Sequence, residues 1–374
     1  MYEVNWERLI KRFVDLVKIP SPSWDEGGVI SYIIDVLEDL GIYYEKHKCN
    51  DSYNLLARLD GKDNMGLPIL FVCHMDTVTP CENVKPIITA TKISSDGTTI
   101  LGADDKAAIA SFLEALHFIK ESKIPHGRIE FLFSCAEEVG LQGIKGFDLS
   151  LLDAKYAFVF DSDGEIGGIT LKAPFHITME VAIRGKSSHA GVEPEKGVSA
   201  IRVLAEIISR MPHGRIDEET TVNVGSISGG GATNIVAESA KFNLEARSIN
   251  RSRLRSLESE IRDIIMDVSR GYRAKANIER RVDYSGFSIK ENEGIVKIVN
   301  TAIEKIGLKP EYRTSGGGSD TNIINKAGIK AVNLSIGMKN AHTKKEYILI
   351  KNIQRGAMLV LSIIESVNKN PHSI

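Results

Sequence analysis

Apolar residues recur at three- and four-residue intervals in two stretches near the start of the chain, residues 9–17 and 29–40, and Gly41 follows the second. This spacing puts the apolar side chains on one face of a helix, and glycine is a common helix stop. Short apolar runs then alternate with a further helical pattern; they are ILFVC (69–73), IEFLF (129–133) and YAFVF (156–160). Such runs are typical of central strands buried on both faces. The alternation predicts an α/β sheet flanked by helices.

The pattern changes near residue 175. Strand-like and helical segments follow one another there in the order β-α-β-β-α-β, up to about residue 282. The helical segment after Asn250 keeps its apolar residues on one stripe, so it should cover one face of a small sheet. From about residue 289 the α/β pattern resumes with a helix, the loop RTSGGGSDTN, a strand and a C-terminal helix. We therefore predict a discontinuous α/β domain, residues 1–173 and 287–374, with a smaller α+β domain, residues 174–286, inserted into it.

The composition excludes several classes of partner. The 374 residues include 47 Lys and Arg and 49 Asp and Glu, so the formal net charge is -2 and there is no bulk basic field to attract nucleic acid or an anionic membrane. Charges interrupt the amphipathic start of the chain, so we expect no signal peptide, no membrane span and a cytoplasmic location. The cysteines, Cys49, Cys73, Cys81 and Cys135, lack CxxC spacing, which indicates reduced thiols. Any metal would need histidine and carboxylate ligands.

Polar residues follow each of the three predicted buried strands. His74 and Asp76 follow the first, Glu137 and Glu138 the second, and Asp161 the third. Ligands of open α/β sheets bind beyond the carboxyl ends of the strands, which is where these residues should lie. Because side chains alternate along an extended backbone, His74 and Asp76 should share a face, and Asp76 could orient the imidazole.

Each polar group alone has a simpler interpretation. His74 could be a surface histidine, and the acids of LGADDKAAIA, which include Asp104, could cap a helix. A cation bound by all of these groups explains them together, which is simpler than a separate explanation at every strand end. Imidazole and carboxylate ligands without a thiolate cluster suit zinc. If Asp104 bridges two ions, Glu138 would bind metal, while Glu137 would take the proton from metal-bound water.

The order of the motifs HMDTV, LGADDKAAIA, AEEVG, FDSDG and NAHTKKEY resembles the co-catalytic zinc peptidase family of carboxypeptidase G, aminoacylase and peptidase T. Within it, SSDGTTILGADDKAAIA, ESKIPHGRIEFLFSCAEEVG and KGFDLSLLDAKYAFVFD are most similar to peptidase T, so the resemblance spans nearly the whole chain. It implies a catalytic domain with an inserted lid and dimerisation domain. It also implies two Zn²⁺ per subunit, with Co²⁺ or Mn²⁺ as alternatives, and a cis peptide bond between Asp104 and Asp105.

The same resemblance implies a role for individual residues around the metals. One zinc would be held by His74, Asp104 and Asp161, and the second by Asp104, Glu138 and His342. Glu137 matches the general base, and Asp76 matches the residue that supports the first histidine. His342 is predicted by the resemblance alone, because a histidine in a polar loop is otherwise a surface residue.

In the lid, His189 of KSSHAGVEPEKG matches a histidine that helps to stabilise the tetrahedral intermediate in related dimers, and Arg247 of NLEARS matches a contact to the substrate carboxylate. Asn234 is expected to line the same pocket. The loop TSGGGSDTN, which includes Gly317, could present backbone N–H groups to a carboxylate; a phosphate-binding loop is the alternative, but its GK[ST] ending is missing. We also expect a homodimer formed through the lid, whose small sheet could have an open edge.

These features imply a dinuclear zinc exopeptidase, a peptidase T-like aminopeptidase that hydrolyses the N-terminal peptide bond of short peptides with metal-bound hydroxide as nucleophile. An amidohydrolase acting on N-acyl amino acids, or a dipeptidase, is the alternative, because the metal chemistry is shared and SHAG differs from the lid motif of peptidase T. A relative that keeps the fold without turnover is a third hypothesis, which the intact Glu137 disfavours. The segment between the HxD and ADDK motifs is shorter than in peptidase T, so tripeptide preference stays open. An aspartate at position 161 resembles the aminopeptidases and dipeptidases.

Overall fold

The computed structural model describes residue 2 and residues 4–61 and 66–369. The chain divides into two compact units. Unit 1 comprises Met1–Leu171, Ser288–Thr314 and Ser319–Ile374, and unit 2 comprises Lys172–Phe287 and Ser315–Gly318. The predicted inserted domain, residues 174–286, overlaps unit 2.

The helices and strands of both units are numbered in chain order. The α-helices are α1 (Trp6–Val17), α2 (Gly27–Asp39), α3 (Ala103–Ser122), α4 (Gln142–Gly146), α5 (Ala200–Arg210), α6 (Arg251–Gly271), α7 (Gly294–Lys305), α8 (Asp320–Lys326) and α9 (Ile350–Lys369). The strands are β1 (Tyr43–Cys49), β2 (Ser52–Leu59), β3 (Ile69–His74), β4 (Ile87–Ile88), β5 (Lys92–Ser94), β6 (Ile129–Ser134), β7 (Tyr156–Ser162), β8 (Gly168–Ala173), β9 (Phe175–Arg184), β10 (Gly214–Asp217), β11 (Thr220–Gly229), β12 (Ser239–Ser248), β13 (Lys275–Tyr284), β14 (Phe287–Ser288), β15 (Glu311–Thr314), β16 (Lys330–Ser335), β17 (Met338–Lys339) and β18 (Tyr347–Leu349). The predicted α/β class with a smaller α+β module is confirmed.

The main sheet of unit 1 is mixed. Its order within the described residues is β1-β2-β6-β3-β7-β16-β8-β14, with β15 paired to β8. Four neighbouring strands in its centre, β6, β3, β7 and β16, run parallel. Every residue of β3 and β6 is buried, as the apolar runs predicted. The carboxyl ends of these parallel strands therefore lie on one edge of the sheet.

Aromatic packing fixes α3 against this sheet. The rings of Phe71 and Phe131, on β3 and β6, stack with their centroids 5.1 Å apart. Phe112 of α3 meets the Phe131 ring edge-on at 5.5 Å, and all three side chains are fully buried. Such pairs add to the stabilisation that burial alone provides. The first turn of α3, which carries the predicted metal ligand Asp104, is thereby held over the sheet edge.

Unit 2 is an antiparallel sheet with the strand order β10-β11-β12-β9-β13. Helices α5 and α6 contribute Val203, Leu204, Leu257 and Ile261 to a buried apolar core with one sheet face. This is the predicted β-α-β-β-α-β module, and β10 adds a hairpin strand that the sequence analysis did not predict. The second sheet face carries polar residues, as the alternation along each strand requires.

The structure also differs from the predicted arrangement in other places. The β1-β2 hairpin was missed because β1, YYEKHKC, is a half-exposed edge strand without apolar alternation. The predicted loop RTSGGGSDTN is only partly loop, because β15 occupies its start and α8 begins at Asp320. A small sheet in the order β17-β18-β5-β4 was also missed, since its strands are two or three residues long.

Two expectations from composition can be compared with the structure. All four cysteines are free and buried, as predicted for reduced thiols. Within the described part of the chain, no helix combines the length and the apolar character that crossing a bilayer requires.

Candidate metal centre

The polar residues that follow the buried strands meet at one edge of the main sheet. His74 is the last residue of β3, and Asp161 is the last but one of β7. Glu137 and Glu138 follow β6 in the next loop. Asp104 enters the same edge from the first turn of α3, where its backbone dihedral angles are not helical. The parallel direction of the three strands is what brings these side chains together.

The carboxylate of Asp104 lies between two imidazoles. Its Oδ1 is 3.0 Å from Nε2 of His74, and its Oδ2 is 3.0 Å from Nε2 of His342. Burial raises the pKa of Asp104, but hydrogen bonding to His342 and His74 outweighs it and holds the pKa below its usual value. The pKa of His342 is raised to about 10 by its contacts with the Asp104 and Glu138 carboxylates. One carboxylate therefore offers an oxygen to each of two neighbouring positions.

Two further carboxylates lie near these histidines, one beside His74 and one beside His342. Oδ1 of Asp161 is 3.7 Å from Nε2 of His74, and Oε1 of Glu138 is 2.9 Å from Nε2 of His342. Ligand atoms of His74, Asp104 and Glu138 all lie within 4.8 Å of one another, a spacing that could hold a metal ion. Burial raises the pKa of Asp161 to about 6.

Glu137 lies beside Glu138 in the loop after β6, in a setting that makes it a weaker acid. Its pKa is raised well above its usual value, first by burial and then by the charge of Asp161. Its backbone N–H donates to Oδ1 of Asp76 at 2.9 Å, and that of Glu138 donates to Oδ2 of Asp76 at 3.1 Å. Asp76 thus fixes the loop that carries both glutamates.

Asp76 also contacts His74, although not mainly in the way the sequence suggested. Nδ1 of His74 is 2.9 Å from the backbone oxygen of Asp76 and 3.5 Å from its carboxylate Oδ1. A hydrogen bond at Nδ1 leaves Nε2 as the nitrogen that can bind a metal. The carboxylate itself is occupied by the glutamate loop and by Oγ of Ser23, which donates at 2.7 Å.

Several buried acids near the site had no role in the sequence analysis. The bond between Asp104 and Asp105 is cis, as the resemblance implied, and Oδ2 of Asp105 accepts from the backbone N–H of His74 at 3.2 Å. Asp320, the first residue of α8, accepts from Oγ of Ser134 at 2.5 Å, and burial raises its pKa to about 7. Glu346 accepts three backbone N–H groups around Asp104. The motifs GGGSD and NAHTKKEY contain the last two acids, but no pattern in them indicated burial.

The charges of this site do not balance. The acids gathered here outnumber the two histidines; they are Asp76, Asp104, Asp105, Glu137, Glu138, Asp161 and Asp320. Buried carboxylates are costly unless they are paired or bind a metal. Imidazole and carboxylate donors without a thiolate are the ligands that zinc and related divalent cations accept. The donor set and its excess negative charge therefore fit bound divalent cations.

The predicted substrate-binding residues form two pairs within unit 2. Nη1 of Arg247 donates to the backbone oxygen of Gly316 at 3.4 Å, beside Gly317. His189 lies next to Asn234, because the N–H of Ala190 donates to the Asn234 oxygen at 2.8 Å. His189 and Asn234 are exposed. Their roles with substrate stay predictions.

A mixed α/β sheet with imidazole and carboxylate donors at the carboxyl edge of its parallel strands is the arrangement expected of a metal-dependent hydrolase, and comparison with known proteins agrees. Residues 175–273 match the model of the peptidase dimerisation domain of the M20 peptidases, and residues 54–177 match peptidase family M28. The chain belongs to the peptidase T-like metallopeptidases of family M20.

Three proteins are similar to this chain over nearly its whole length, and two of them, an aminopeptidase and a tripeptidase, support this assignment. YqjE of Bacillus subtilis (strain 168) is 40% identical over 371 residues, 98% of this chain and 100% of YqjE. The crystal structure of aminopeptidase PepT from Bacillus cereus ATCC 10987 is 40% identical, covers 97% of this chain and 99% of its own, and has a TM-score of 0.90. That of a tripeptidase from Staphylococcus aureus is 38% identical, covers 98% and 99%, and has a TM-score of 0.93. The protein is thus a metal-dependent peptidase, and the deacylase alternative is not favoured.

Proposed function

We propose that the protein is a dinuclear zinc aminopeptidase that removes the N-terminal residue of short peptides. The observation that carries the proposal is the Asp104 carboxylate, whose two oxygens each face a different imidazole at a site with excess buried negative charge. Two of the similar structures are those of an aminopeptidase PepT and a tripeptidase, which supports the choice of substrate class.

The residues divide into two ligand groups that share Asp104. His74, Asp104 and Asp161 would hold one cation, and Asp104, Glu138 and His342 would hold the other. When bound, two such cations polarise a scissile carbonyl and lower the pKa of water. The ligand contacts of 2.9–3.7 Å are consistent with this division.

Glu137 would act as the general base. Its environment raises its pKa, so its carboxyl can take a proton from the attacking water and keep it until the leaving amine forms. The hydrogen bond from the Glu137 backbone N–H to Asp76 holds Glu137 in place while its carboxylate takes the proton from water and later gives it to the leaving amine. Asp76 supports the reaction twice in this account, because it also fixes the His74 ring through its own backbone oxygen.

The substrate class can be tested with three compounds and one protein sample. We expect the zinc-loaded protein to release alanine from trialanine, to act less well on dialanine, and to leave N-acetylmethionine intact. Chelation should abolish the turnover of trialanine. Hydrolysis of N-acetylmethionine alone would keep the metal site but assign the protein to the deacylases, and preferential turnover of dialanine would make it a dipeptidase.

We also propose that unit 2 forms a homodimer. β10 pairs with β11 only over residues 220–222, and beyond them the described strands leave that edge of β11 without a partner. Ile227 on β11 is 61% exposed, and Ile201 and Ile235 are about half exposed. An open strand edge beside exposed apolar side chains favours pairing with a second copy.

Mass measurement by analytical ultracentrifugation tests the dimer. We expect the wild type to sediment as a dimer at micromolar concentration, and Ile227→Asp to shift it to the monomer because the charge would be buried. Ile87→Asp is the matched control, since Ile87 is 49% exposed in unit 1 and lies in β4. A monomeric wild type would contradict the proposal.

A further inference from the structure

Glu346 is a buried carboxylate whose oxygens are both occupied by the backbone of another loop. The residue is 1% exposed. Oε2 accepts the N–H groups of Leu101 at 2.8 Å and Gly102 at 2.7 Å, and Oε1 accepts that of Asp104 at 3.0 Å. These three donors surround the turn that leads into α3.

The turn needs an acceptor from elsewhere in the chain. The first N–H groups of a helix have no partner within the helix. Gly102 has a φ of 78°, and Asp104 and Asp105 have non-helical dihedral angles, so this turn is not held by regular helical geometry. Glu346 provides the acceptor oxygens, and its contact with the Asp104 N–H fixes the backbone from which the Asp104 carboxylate extends.

Glu346 belongs to the same loop as His342. The loop of residues 340–346 connects β17 to β18. The N–H of Glu346 donates to the Thr343 oxygen at 3.0 Å, and Oγ1 of Thr343 donates to the Asn340 oxygen at 2.8 Å. These bonds within the loop fix the spacing between Glu346 and His342. The Glu346 carboxylate therefore connects the segment that carries Asp104 with the loop that carries His342.

We propose that Glu346 is a positioning residue for the cation held by Asp104 and His342, and that it does not bind the cation itself. This inference rests on the proposed metal site. With Glu346 in place, the Asp104 carboxylate and the His342 ring keep the 3.0 Å approach that lets both offer a ligand atom to one cation. Partners that orient metal ligands in this way typically change metal affinity by about 10- to 100-fold when they are removed.

Two substitutions of Glu346 distinguish a role in positioning the backbone from a role that depends on its charge alone. Glu346→Gln keeps the size but has one acceptor oxygen, so its NH₂ group would face one of the three N–H donors and the turn would shift. Glu346→Asp keeps the charge but is one methylene shorter, so it cannot reach all three donors. A role through charge alone predicts wild-type behaviour for Glu346→Asp, whereas positioning predicts a loss in both variants.

Glu130 offers a matched control. It is fully buried on β6, accepts the N–H groups of Asp153 at 3.1 Å and Ala154 at 3.0 Å, and also accepts from Nε of Arg58 at 3.2 Å. Glu130→Gln is thus the same chemical change in an equally buried carboxylate that accepts backbone N–H groups. It lies near the amino end of its strand, away from the edge that carries the site.

The experiment is a titration of metal-free protein with Zn²⁺ in competition with a chromophoric chelator, accompanied by the Co²⁺ absorption spectrum and the Tm of the metal-free form. We expect affinity to fall in the order wild type, Glu346→Asp, Glu346→Gln, with about a 10- to 100-fold loss in the last and a changed Co²⁺ spectrum. Glu130→Gln should bind as the wild type does. If Glu346→Gln fails to fold, Glu346→Asp carries the test.

The outcomes distinguish this inference from the proposed function. Wild-type affinity and spectrum in both Glu346 variants would overturn the positioning role and leave the metal site intact. Equal losses in Glu346→Gln and Glu130→Gln would also overturn it, because the effect would then be general destabilisation. A wild type that binds no Zn²⁺ would overturn the proposed metal site, and the positioning role with it.

Discussion

The metal centre of unit 1 and the polar sheet face of unit 2 both gather ionisable side chains, but only the second balances its charges. On the unit 2 face, Oε2 of Glu245 lies 3.2 Å from Nε2 of His176 and 2.9 Å from Nη2 of Arg247. Asp283 on the same face pairs with Arg281 at 2.8 Å. At the metal centre, acids outnumber histidines.

The pKa of Glu245 in unit 2 is lowered, whereas at the metal centre the pKa of Asp104 is lowered and those of two other acids are raised. Hydrogen bonding to His176 lowers the pKa of Glu245 to about 2. Burial raises the pKa of Asp161 to about 6, and raises that of Glu137 well above its usual value. A balanced cluster is electrostatically complete by itself, whereas an unbalanced buried one must take up protons or a cation from solution. The excess of buried acids is therefore what distinguishes the candidate metal centre from the ion-pair network of unit 2.

The largest effect should follow from removing the proposed base at the unbalanced site. We expect Glu137→Gln to lower kcat by about 100- to 10,000-fold, the range typical of a lost general base. Metal content should stay at the wild-type level, because Glu137 is not among the proposed ligands. Steady-state kinetics and elemental analysis check both points, with the remote, buried Glu130→Gln as control. A near-normal kcat in Glu137→Gln would show that Glu137 is not the general base.

An intermediate effect is expected at Arg247 in the balanced cluster. If Arg247 contacts the substrate carboxylate, Arg247→Ala should raise KM by about 10- to 100-fold, because a charge-assisted hydrogen bond of about 1.5–3 kcal/mol is lost. Arg280→Ala is the control, since Arg280 of β13 pairs with Glu258 at 3.0 Å. Kinetics with trialanine give the values. An unchanged KM would show that Arg247 does not contact the substrate carboxylate.

The smallest effect concerns acid stability. The folded-state pKa of Glu245 is depressed from 4.5 to about 2, so its ionised form stabilises the fold above about pH 4.5, and that stabilisation is lost as the pH falls towards 2. We expect Glu245→Gln to have a slightly lower Tm than the wild type at neutral pH and a difference that shrinks below pH 4.5. Thermal melts between pH 2 and 7 measure it. A constant difference would show that Glu245 does not act through its charge.

The sequence was sufficient for the parts of the molecule that depend on local pattern. The buried strands β3, β6 and β7 were visible as apolar runs, and the rule that ligands bind beyond the carboxyl ends of strands brought His74, Glu138 and Asp161 to one edge. The helical stripes of α1 and α6 were equally plain. Burial on both faces leaves a continuous apolar run, which few other structures produce.

The rest depended on contacts between distant segments. His342 follows no buried run and could be predicted only from a family resemblance. Glu346 looked like one more charge in a polar loop, because nothing local shows that residues 101–104 direct three N–H groups towards it. The half-exposed strand β1 has no apolar alternation to detect. When a side chain is buried by residues more than 200 positions away in the sequence, the sequence around it shows no periodic pattern that predicts its burial.

The most direct test of the account is the number of divalent cations that bind the wild-type chain. Metal-free protein is dialysed against Zn²⁺, freed of excess, and analysed for zinc and protein in the same sample. We expect two zinc ions per chain, because Asp104 offers one oxygen to each of two ligand groups. A value near zero, with full stability and peptidase activity in the metal-free protein, would contradict it.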